Sequence, residues 1–208
     1  MVEKQINSET EPKCLFCEII KGTIPALKIY ENEGAIGVLN IKPANKGQVL
    51  IIPKQHHLFL QTVPDDIVFS IMNAIKAVTT ILSQVLQCPG ITVMYNMGSS
   101  AGQKIGHVSF DIIPRYAGDA VKIEVPETQV KENDLIDMQR MIVKAFQEST
   151  IKLLKAIKSG EIKVSDDVKA QAEKTLEMLE KQKPPKNPLK SDKNIDMMKL
   201  EEELGKIN

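Results

Sequence analysis

A glycine-rich polar loop that runs directly into a short alternating strand, at residues 96–115, constrains this chain more than any other stretch. Polar and apolar side chains alternate at the end of this stretch, so His107, Ser109 and Asp111 share one face of the strand. Neighbouring same-face residues of an extended strand lie about 7 Å apart, which is close enough to contact a single ligand. The pattern predicts a polar site on one face of a sheet, on a strand that ends at Pro114.

Length and composition narrow the class of protein. The 208 residues suffice for one ordinary domain with an appendage, and Lys plus Arg balance Asp plus Glu at 27 each, which leaves no net charge to attract nucleic acid. No run approaches the roughly 18 consecutive apolar residues of a membrane span. The first residues are too polar for a secretion signal. We therefore expect a cytoplasmic protein that binds neither membranes nor nucleic acid.

Cysteine and histidine are scarce, which makes the few that are present informative. Three cysteines, an odd number, argue against a disulfide framework, and Cys14 with Cys17 forms a Cys-x-x-Cys pair that suits a zinc site or a redox couple. A redox couple should follow a strand, whereas residues 1–13 are polar and are expected to form a flexible tail. A zinc site needs two further ligands, and the histidines of the chain are His56, His57 and His107. Two core cysteines unconnected with the histidines are the alternative.

The rest of the first half alternates strands with one long helix. Apolar runs bounded by turn residues predict strands at 28–31, 35–41, 48–53 and 91–95. Thr62 followed by Asp65 resembles a helix-capping start, and apolar residues then recur at helical spacing as far as Leu86. These patterns predict an α+β fold in which an antiparallel sheet carries one packed helix.

The second half is predicted to be helical. One helix is expected at 131–159, where Gly160 ends it, and a second at 165–183. A proline-rich linker at 184–188 and a short helix at 195–204 follow. The first long helix carries apolar residues without an evident cover, namely Met138, Met141, Ile142, Phe146, Leu153 and Leu154. They predict a contact with a second copy of the chain or with another protein.

The loop and strand of residues 96–115 resemble the signature of the histidine triad (HIT) superfamily, in its HINT-like branch. That signature is His-x-His-x-His followed by two apolar residues; here His107 stands first, while Ser109 and Asp111 replace the second and third histidines. In the family the middle histidine attacks the α-phosphorus of a nucleotide ester, anhydride or amidate, and water hydrolyses the nucleotidyl-imidazole that forms. The resemblance therefore implies a nucleotide site with Ser109 in the place of the nucleophile.

The same resemblance implies a domain plan and a metal. It covers Cys14 to about Tyr116, so we expect a HIT-like domain at 14–118 and a helical C-terminal extension at 119–208. In zinc-bearing members of the family the ligand positions correspond here to Cys14, Cys17, His56 and His107. A Cys₂His₂ tetrahedron leaves no open position, so the expected Zn²⁺ is structural.

The resemblance also implies contacts with a purine nucleotide. Its apolar wall would be formed by Leu15, Phe16, Ile19, Val38 and Ile41. Asn40 stands where the family usually has an aspartate at the ribose, and the α-phosphate would lie against Asn96, Gly102, Gln103 and Ser109. Glycines in such a loop permit close approach of an anion to the backbone. Family members commonly pair through their sheets, so a homodimer is expected.

Whether the chain is catalytic depends on Ser109. A serine hydroxyl needs a base to act as a nucleophile, and the phosphodiester that it would form is stable. Asp111 is the same-face candidate for that base, and an offset of two residues along the strand aims it poorly. We therefore expect no catalytic residue and predict a nucleotide-binding or scaffold protein, a pseudoenzyme with structural zinc. The alternative is an active nucleotidyl hydrolase or transferase that acts on phosphoramidates or dinucleotides with non-standard groups. In a third possibility the helices are the working part and the first half is a dimerisation platform.

Overall fold

The computed structural model describes residues 14–123 and 125–181. The chain divides into two compact units, the first ending at Glu124 and the second beginning at Val125. The predicted tail at 1–13, linker at 184–188 and helix at 195–204 lie outside the described residues.

The described residues of the first unit form two α-helices and five strands, besides short 3₁₀ turns. In chain order these are α1 (Leu15–Lys21), β1 (Lys28–Glu31), β2 (Ala35–Leu39), β3 (Val49–Pro53), α2 (Asp65–Leu86), β4 (Gly90–Tyr95) and β5 (Phe110–Arg115). The strands form one sheet in the order β1-β2-β3-β5-β4, and each neighbouring pair is antiparallel. The predicted α+β fold with an antiparallel sheet and a packed helix is confirmed.

The two faces of the sheet carry different structures because successive side chains of a strand point to opposite sides. One face packs against α2, and its core contains Val49, Ile51, Phe110 and Ile112 together with Ile71 of the helix. The other face carries α1 over a smaller core of Phe16, Ile36, Val38 and Ile52. Since Asp111 alternates with Phe110 and Ile112, its side chain belongs to the face opposite α2.

Strand β5 differs from its predicted bounds at both ends. It begins at Phe110 rather than at His107, and it runs through Pro114 to Arg115 instead of ending at the proline. Pro114 lies opposite Ile91 of β4, while its carbonyl accepts a hydrogen bond from Asn45, which precedes β3. The backbone nitrogen and carbonyl of Pro114 thus point to the β3 side of the strand. Pairing with β3 stops at Ile112, so the N–H that proline lacks is not needed there.

The predicted cap of α2 is also wrong. Thr62 ends a short 3₁₀ turn and its hydroxyl donates to the carbonyl of Phe59, so it is not available to the helix. Pro64 precedes the first helical residue, and Asp65 with Asp66 places negative charge in the first turn, where the helix dipole favours it. Among the described residues α2 alone is long and apolar enough to cross a membrane, and its contacts with the sheet are those of a core helix.

The described part of the second unit, residues 125–181, is a helical hairpin. Helix α3 (Glu132–Ser159) agrees with the predicted helix at 131–159, and α4 (Asp166–Lys181) follows it after Gly160, whose φ of +81° suits a helix end. The two helices share a core of Leu154, Ile157, Ala172 and Leu176. Leu154 was expected among the uncovered apolar residues, and it is covered by α4 instead.

Candidate functional site

Two cysteines and two histidines meet at one end of the sheet. Cys14 caps α1 and Cys17 follows within its first turn, a spacing that puts both side chains on one face of the helix. His56 follows β3 and His107 precedes β5. Their four ligand atoms all lie within 4.8 Å of one another. The chain therefore brings together the four residues predicted to bind metal, in a cluster that can hold a metal ion.

The distances in this cluster suit a tetrahedral ion. The Sγ of Cys17 lies 3.3 Å from Nδ1 of His56 and 3.7 Å from Nδ1 of His107, and the Sγ of Cys14 lies 3.5 Å from Nδ1 of His107. Zinc bonds of about 2.3 Å to sulfur and 2.0–2.1 Å to nitrogen, at tetrahedral angles, separate such atoms by about 3.5 Å. The donor set and its spacing both fit Zn²⁺.

His107 is held in the orientation that a metal ligand requires. Its ring is 1% exposed, and its Nε2 lies 3.0 Å from the carbonyl oxygen of Pro53. A carbonyl can only accept, so Nε2 carries the proton and Nδ1 keeps its lone pair for the cluster. Burial lowers the pKa of His107 and outweighs the opposing effect of the Pro53 hydrogen bond, so the ring stays neutral.

The proton of the Cys17 thiol bears on metal binding, whereas His57 is not one of the four clustered residues. Burial, together with the hydrogen bond to Cys14, raises the pKa of the Cys17 thiol. A metal ion that binds this thiol must therefore displace a proton. His57 lies outside the cluster, and its Nε2 is the buried side-chain polar atom that lacks a partner within the described part of the chain.

Ser109 has no base within reach. Within residues 14–123 and 125–181 its hydroxyl makes no hydrogen bond to the protein. Both ring nitrogens of His107 face other partners, Pro53 and the cysteines. The carboxylate of Asp111 instead accepts a hydrogen bond of 2.6 Å from Nε2 of Gln48. The half-buried serine thus stands beside two titratable residues and is activated by neither.

Gln48 orients Asp111 and joins it to the loop before β3. Its Oε1 accepts the N–H of Ala44 at 2.6 Å, which fixes the amide so that Nε2 points to Asp111. On the sheet, Asp111 lies between Leu50 of β3 and Met94 of β4. Burial raises the pKa of Asp111, partly offset by the Gln48 hydrogen bond and by the charge of Lys104.

The glycine-rich loop is closed by one of the residues predicted to bind phosphate. The N–H of Gly98 donates to Oε1 of Gln103 at 2.7 Å, and Nε2 of Gln103 donates to the carbonyl of Leu58. Gly98 and Gly102 have φ of +81° and +90°, which favour glycine. The side chain of Asn96 lies beside Gly102, 3.8 Å from where a Cβ on that glycine would be. Asn96 and Gly102 are therefore close to each other, while Gln103 holds the loop's shape.

The residues predicted to line the base pocket separate into two groups. Phe16 and Val38 are buried with Ile19 in the core under α1, and Ile19 and Val38 line a cavity of about 410 Å³. Leu15 is exposed beside them on α1. Asn40 and Ile41 instead line a groove of about 780 Å³ between α2 and strands β1 and β2, and Ile41 is 85% exposed.

Asn40 is also engaged locally. Its Oδ1 accepts the N–H of Lys42 at 2.9 Å, which closes a tight turn at the end of β2. The oxygen that was expected at the ribose therefore already has a partner in the chain.

Known proteins resemble the part of the chain that carries these residues. A family model described as HIT domain matches residues 21–118. An uncharacterized HIT-like protein of Methanocaldococcus jannaschii is 39% identical over 62% of this chain and 98% of its own length. An adenosine 5′-monophosphoramidase of Candida albicans is 38% identical over 49% of this chain and 70% of its own length.

One similar protein of known structure contains zinc. The zinc-bound histidine triad family protein from Mycobacterium smegmatis superposes with a TM-score of 0.51 at 30% identity, over 56% of this chain and 84% of that protein. Three findings agree: the fold, the cluster that can hold a metal ion, and the sequence identity with a relative over nearly its whole length. The chain therefore belongs to the HIT family.

Proposed function

We propose that this protein is a HIT-family nucleotide-binding protein that carries a structural zinc ion and has lost nucleotidyl transfer. The observation that carries the proposal is the environment of Ser109. Its hydroxyl has no partner within the described residues, and the nearest candidate base, Asp111, is bound to Gln48. A hydroxyl without a base is a poor nucleophile near neutral pH, so the site lacks a nucleophile for the covalent step of nucleotidyl transfer.

Zinc supports the fold in this proposal. Cys14, Cys17, His56 and His107 would hold the ion and fill its four positions, so the metal would supply stability and no bound water for chemistry. Such a site links the start of α1 to the segments that flank β3 and β5. That link would hold α1 over the face of the sheet that carries Ser109 and Asp111.

A purine nucleotide is the proposed ligand. The base would lie near Ile19 and Val38, beside the cavity under α1, and the 5′ group near Asn96, Gly102 and Ser109. Tyr95 and Phe110 form the last pair of β4 and β5, and Asn96 and Ser109 directly adjoin them in the chain, which supports this arrangement. The relative from Candida albicans, named as an adenosine 5′-monophosphoramidase, suggests adenosine 5′-monophosphoramidate as the diagnostic substrate.

The test measures binding and turnover on the same preparation. Calorimetry with AMP and GMP should show binding at millimolar concentrations or below, while phosphoramidate hydrolysis should stay at background. Ser109→Ala should leave that background unchanged, because the hydroxyl takes no part in it. The double variant Ser109→His with Asp111→His restores the family's signature and should gain hydrolysis if the rest of the site is intact.

Two results would contradict the proposal. Wild-type hydrolysis that Ser109→Ala abolishes would make Ser109 a nucleophile and the protein an enzyme. Absence of binding by every purine nucleotide tested would show that the site no longer serves nucleotides.

A further inference from the structure

The charge at the proposed phosphate position is opposite to what a phosphate needs. Asp111 and Ser109 lie on the same face of the sheet, two residues apart. The family signature has a histidine, which can be cationic, at the position of Asp111, whose carboxyl group can be anionic. Its neighbours across the sheet, Leu50 and Met94, are apolar and offer the carboxylate no hydrogen bond. Its partner among the described residues is the neutral amide of Gln48.

The cations around Asp111 do not cancel this charge by direct contact. Lys104 lowers the pKa of Asp111 through its charge, although no ion pair joins the two within the described residues. Arg115, farther along β5, is committed to Asp119 through Nε at 2.8 Å and Nη2 at 2.9 Å. Both ring nitrogens of His107 face away from the site, toward the metal cluster and Pro53.

We infer that Asp111 sets the ligand class of this site: it selects purine nucleosides whose 5′ substituent is neutral or positively charged over nucleoside monophosphates. This inference rests on the proposed function, because it assumes that the 5′ group faces Ser109 and Asp111. The physical reason is that a phosphate brought to within a few ångströms of a poorly solvated carboxylate is repelled, whereas an ammonium group is attracted. A neutral 5′ hydroxyl can donate a hydrogen bond to the carboxylate without either cost.

Burial bears on this selection through solvation. The carboxylate of Asp111 loses solvation in the fold, which raises its pKa and favours its neutral form, so Asp111 repels a phosphate fully only where it is ionised. A cationic ligand group would instead replace part of the lost solvation.

The experiment is a titration with adenosines that differ only in charge at the 5′ position. Adenosine is neutral there, adenosine 5′-monophosphoramidate and AMP are increasingly negative, and 5′-amino-5′-deoxyadenosine is positive. Affinities are measured by calorimetry at about pH 8, far above the ordinary aspartate pKa of about 4, because burial raises the pKa of Asp111. We expect affinity to fall with each added negative charge, and AMP to bind at least about tenfold more weakly than adenosine.

Variants assign the effect to Asp111. Asp111→Asn keeps the shape and can still accept the Gln48 hydrogen bond, so it should fold and should reduce the preference for adenosine over AMP to about threefold or less. Asp66→Asn is the matched control, because it removes the same charge from the exposed start of α2, on the opposite face of the sheet. It should leave the preference unchanged.

The outcomes separate this inference from the proposed function. AMP that binds wild-type protein as tightly as adenosine, or a preference that survives in Asp111→Asn, would overturn the inference and leave nucleotide binding standing. Failure of AMP and of the phosphoramidate to bind at millimolar concentrations would overturn the proposed function, and failure of adenosine and 5′-amino-5′-deoxyadenosine as well would overturn this inference with it.

Discussion

Asp119 is tied to the end of β5 by hydrogen bonds from four residues. Its carboxylate accepts from the guanidinium of Arg115, from the side chain of Asn45 and from the backbone N–H groups of Tyr116 and Val121. Its side chain is almost fully buried. The Arg115 hydrogen bonds, followed by that of the Tyr116 N–H, hold the pKa of Asp119 well below its usual range.

Replacing Asp119 by asparagine should therefore destabilise the first unit in a pH-dependent way. Because the folded-state pKa is depressed, the stabilisation is complete above the ordinary aspartate pKa of about 4 and is lost as the pH falls below it. We expect Asp119→Asn to lower the melting temperature by several degrees at neutral pH, and the difference from wild type to shrink steadily below about pH 4. Thermal melts by circular dichroism across that range measure both effects.

Asp137 provides the control for this prediction. It pairs with Arg140 on the exposed surface of α3 at 3.3 Å, and pairs of that kind contribute little. Asp137→Asn should leave the melting temperature unchanged at neutral pH. A loss as large as that of Asp119→Asn would mean that generic charge removal, and not the Asp119 network, sets the effect.

Single residues also show what the sequence allowed us to predict about the site. Scarcity of cysteine and histidine, with the family pattern, was enough to name four residues that the fold brings together. The carbonyl of Pro53 was missed, because a backbone acceptor leaves no mark in a sequence. The pairing of Gln48 with Asp111 was also missed, since it depends on the register of β3 against β5.

Among the elements, α2 carries the largest part of the first unit's core. Ile71 is 1% exposed in that core, whereas Phe69, two residues earlier on the same helix, is 68% exposed. Ile71→Ala should lower the free energy of unfolding by about 2–5 kcal/mol, because it removes buried methyl groups and leaves a cavity. Phe69→Ala, a larger truncation, should change it by about 0.5 kcal/mol or less. Urea unfolding with an unchanged slope tests the pair, and equal losses would contradict the packing of α2.

The elements were predictable where the apolar pattern is regular, and less so at their ends. Strand β1 has the bounds that the pattern predicts, and α3 differs from its predicted bounds by one residue. The predicted cap of α2 was wrong because the hydroxyl of Thr62 bonds within a 3₁₀ turn and not to the helix. The predicted end of β5 was wrong because the strand continues through Pro114. The proline is tolerated there because it lies beyond the residues that pair with β3. Both errors arise from tertiary contacts that local sequence does not contain.

The exposed apolar side of α3 leads to a prediction about association. Met141 and Phe146 are 67% and 70% exposed, and apolar groups of this size gain stability when a partner covers them. We predict that copies of the chain associate through this side of α3, and that the double variant Met141→Lys with Phe146→Lys weakens this association by at least about tenfold, since it replaces apolar contact area by charge. Sedimentation at increasing concentration measures the change.

The matched control adds the same two lysines at exposed polar positions of the helix, Gln139→Lys and Ser149→Lys. This variant should associate as wild type does. If the two double variants behave alike, the apolar side of α3 is not the surface through which copies of the chain meet.

At the scale of the whole molecule, the metal cluster belongs to one unit and the helical hairpin to the other. The cluster joins segments far apart in the chain, Cys14 and Cys17 near α1 with His56 and His107 beside the sheet. A metal that binds these residues only in the folded chain must stabilise that fold by its binding free energy. The described residues of the hairpin have their own core, with Leu154 and Leu176 in it, and none of them belongs to the cluster.

We therefore predict that purified protein contains about one zinc per chain, and that a strong chelator lowers the melting temperature of the first unit by about 10 °C or more. Cys17→Ala should reproduce the chelator's effect and abolish further sensitivity to it. Cys88→Ala is the matched control, because Cys88 is a buried thiol outside the cluster, and this variant should keep both its zinc and its response to the chelator. Elemental analysis and scanning calorimetry measure these quantities, and a well-folded, metal-free preparation from zinc-replete cells would refute the prediction.

Proton release gives an independent measure of the same ligands. Since burial raises the pKa of the Cys17 thiol, this thiol is protonated near neutral pH in the metal-free chain and must lose its proton when zinc binds. His107 is already neutral there, because burial lowers its pKa, and it has no proton to lose. Zinc affinity should therefore rise with pH through the neutral range, and calorimetry in buffers of different ionisation enthalpy should detect protons released on binding. Affinity independent of pH, with no proton released, would show that the cysteines are not ligands.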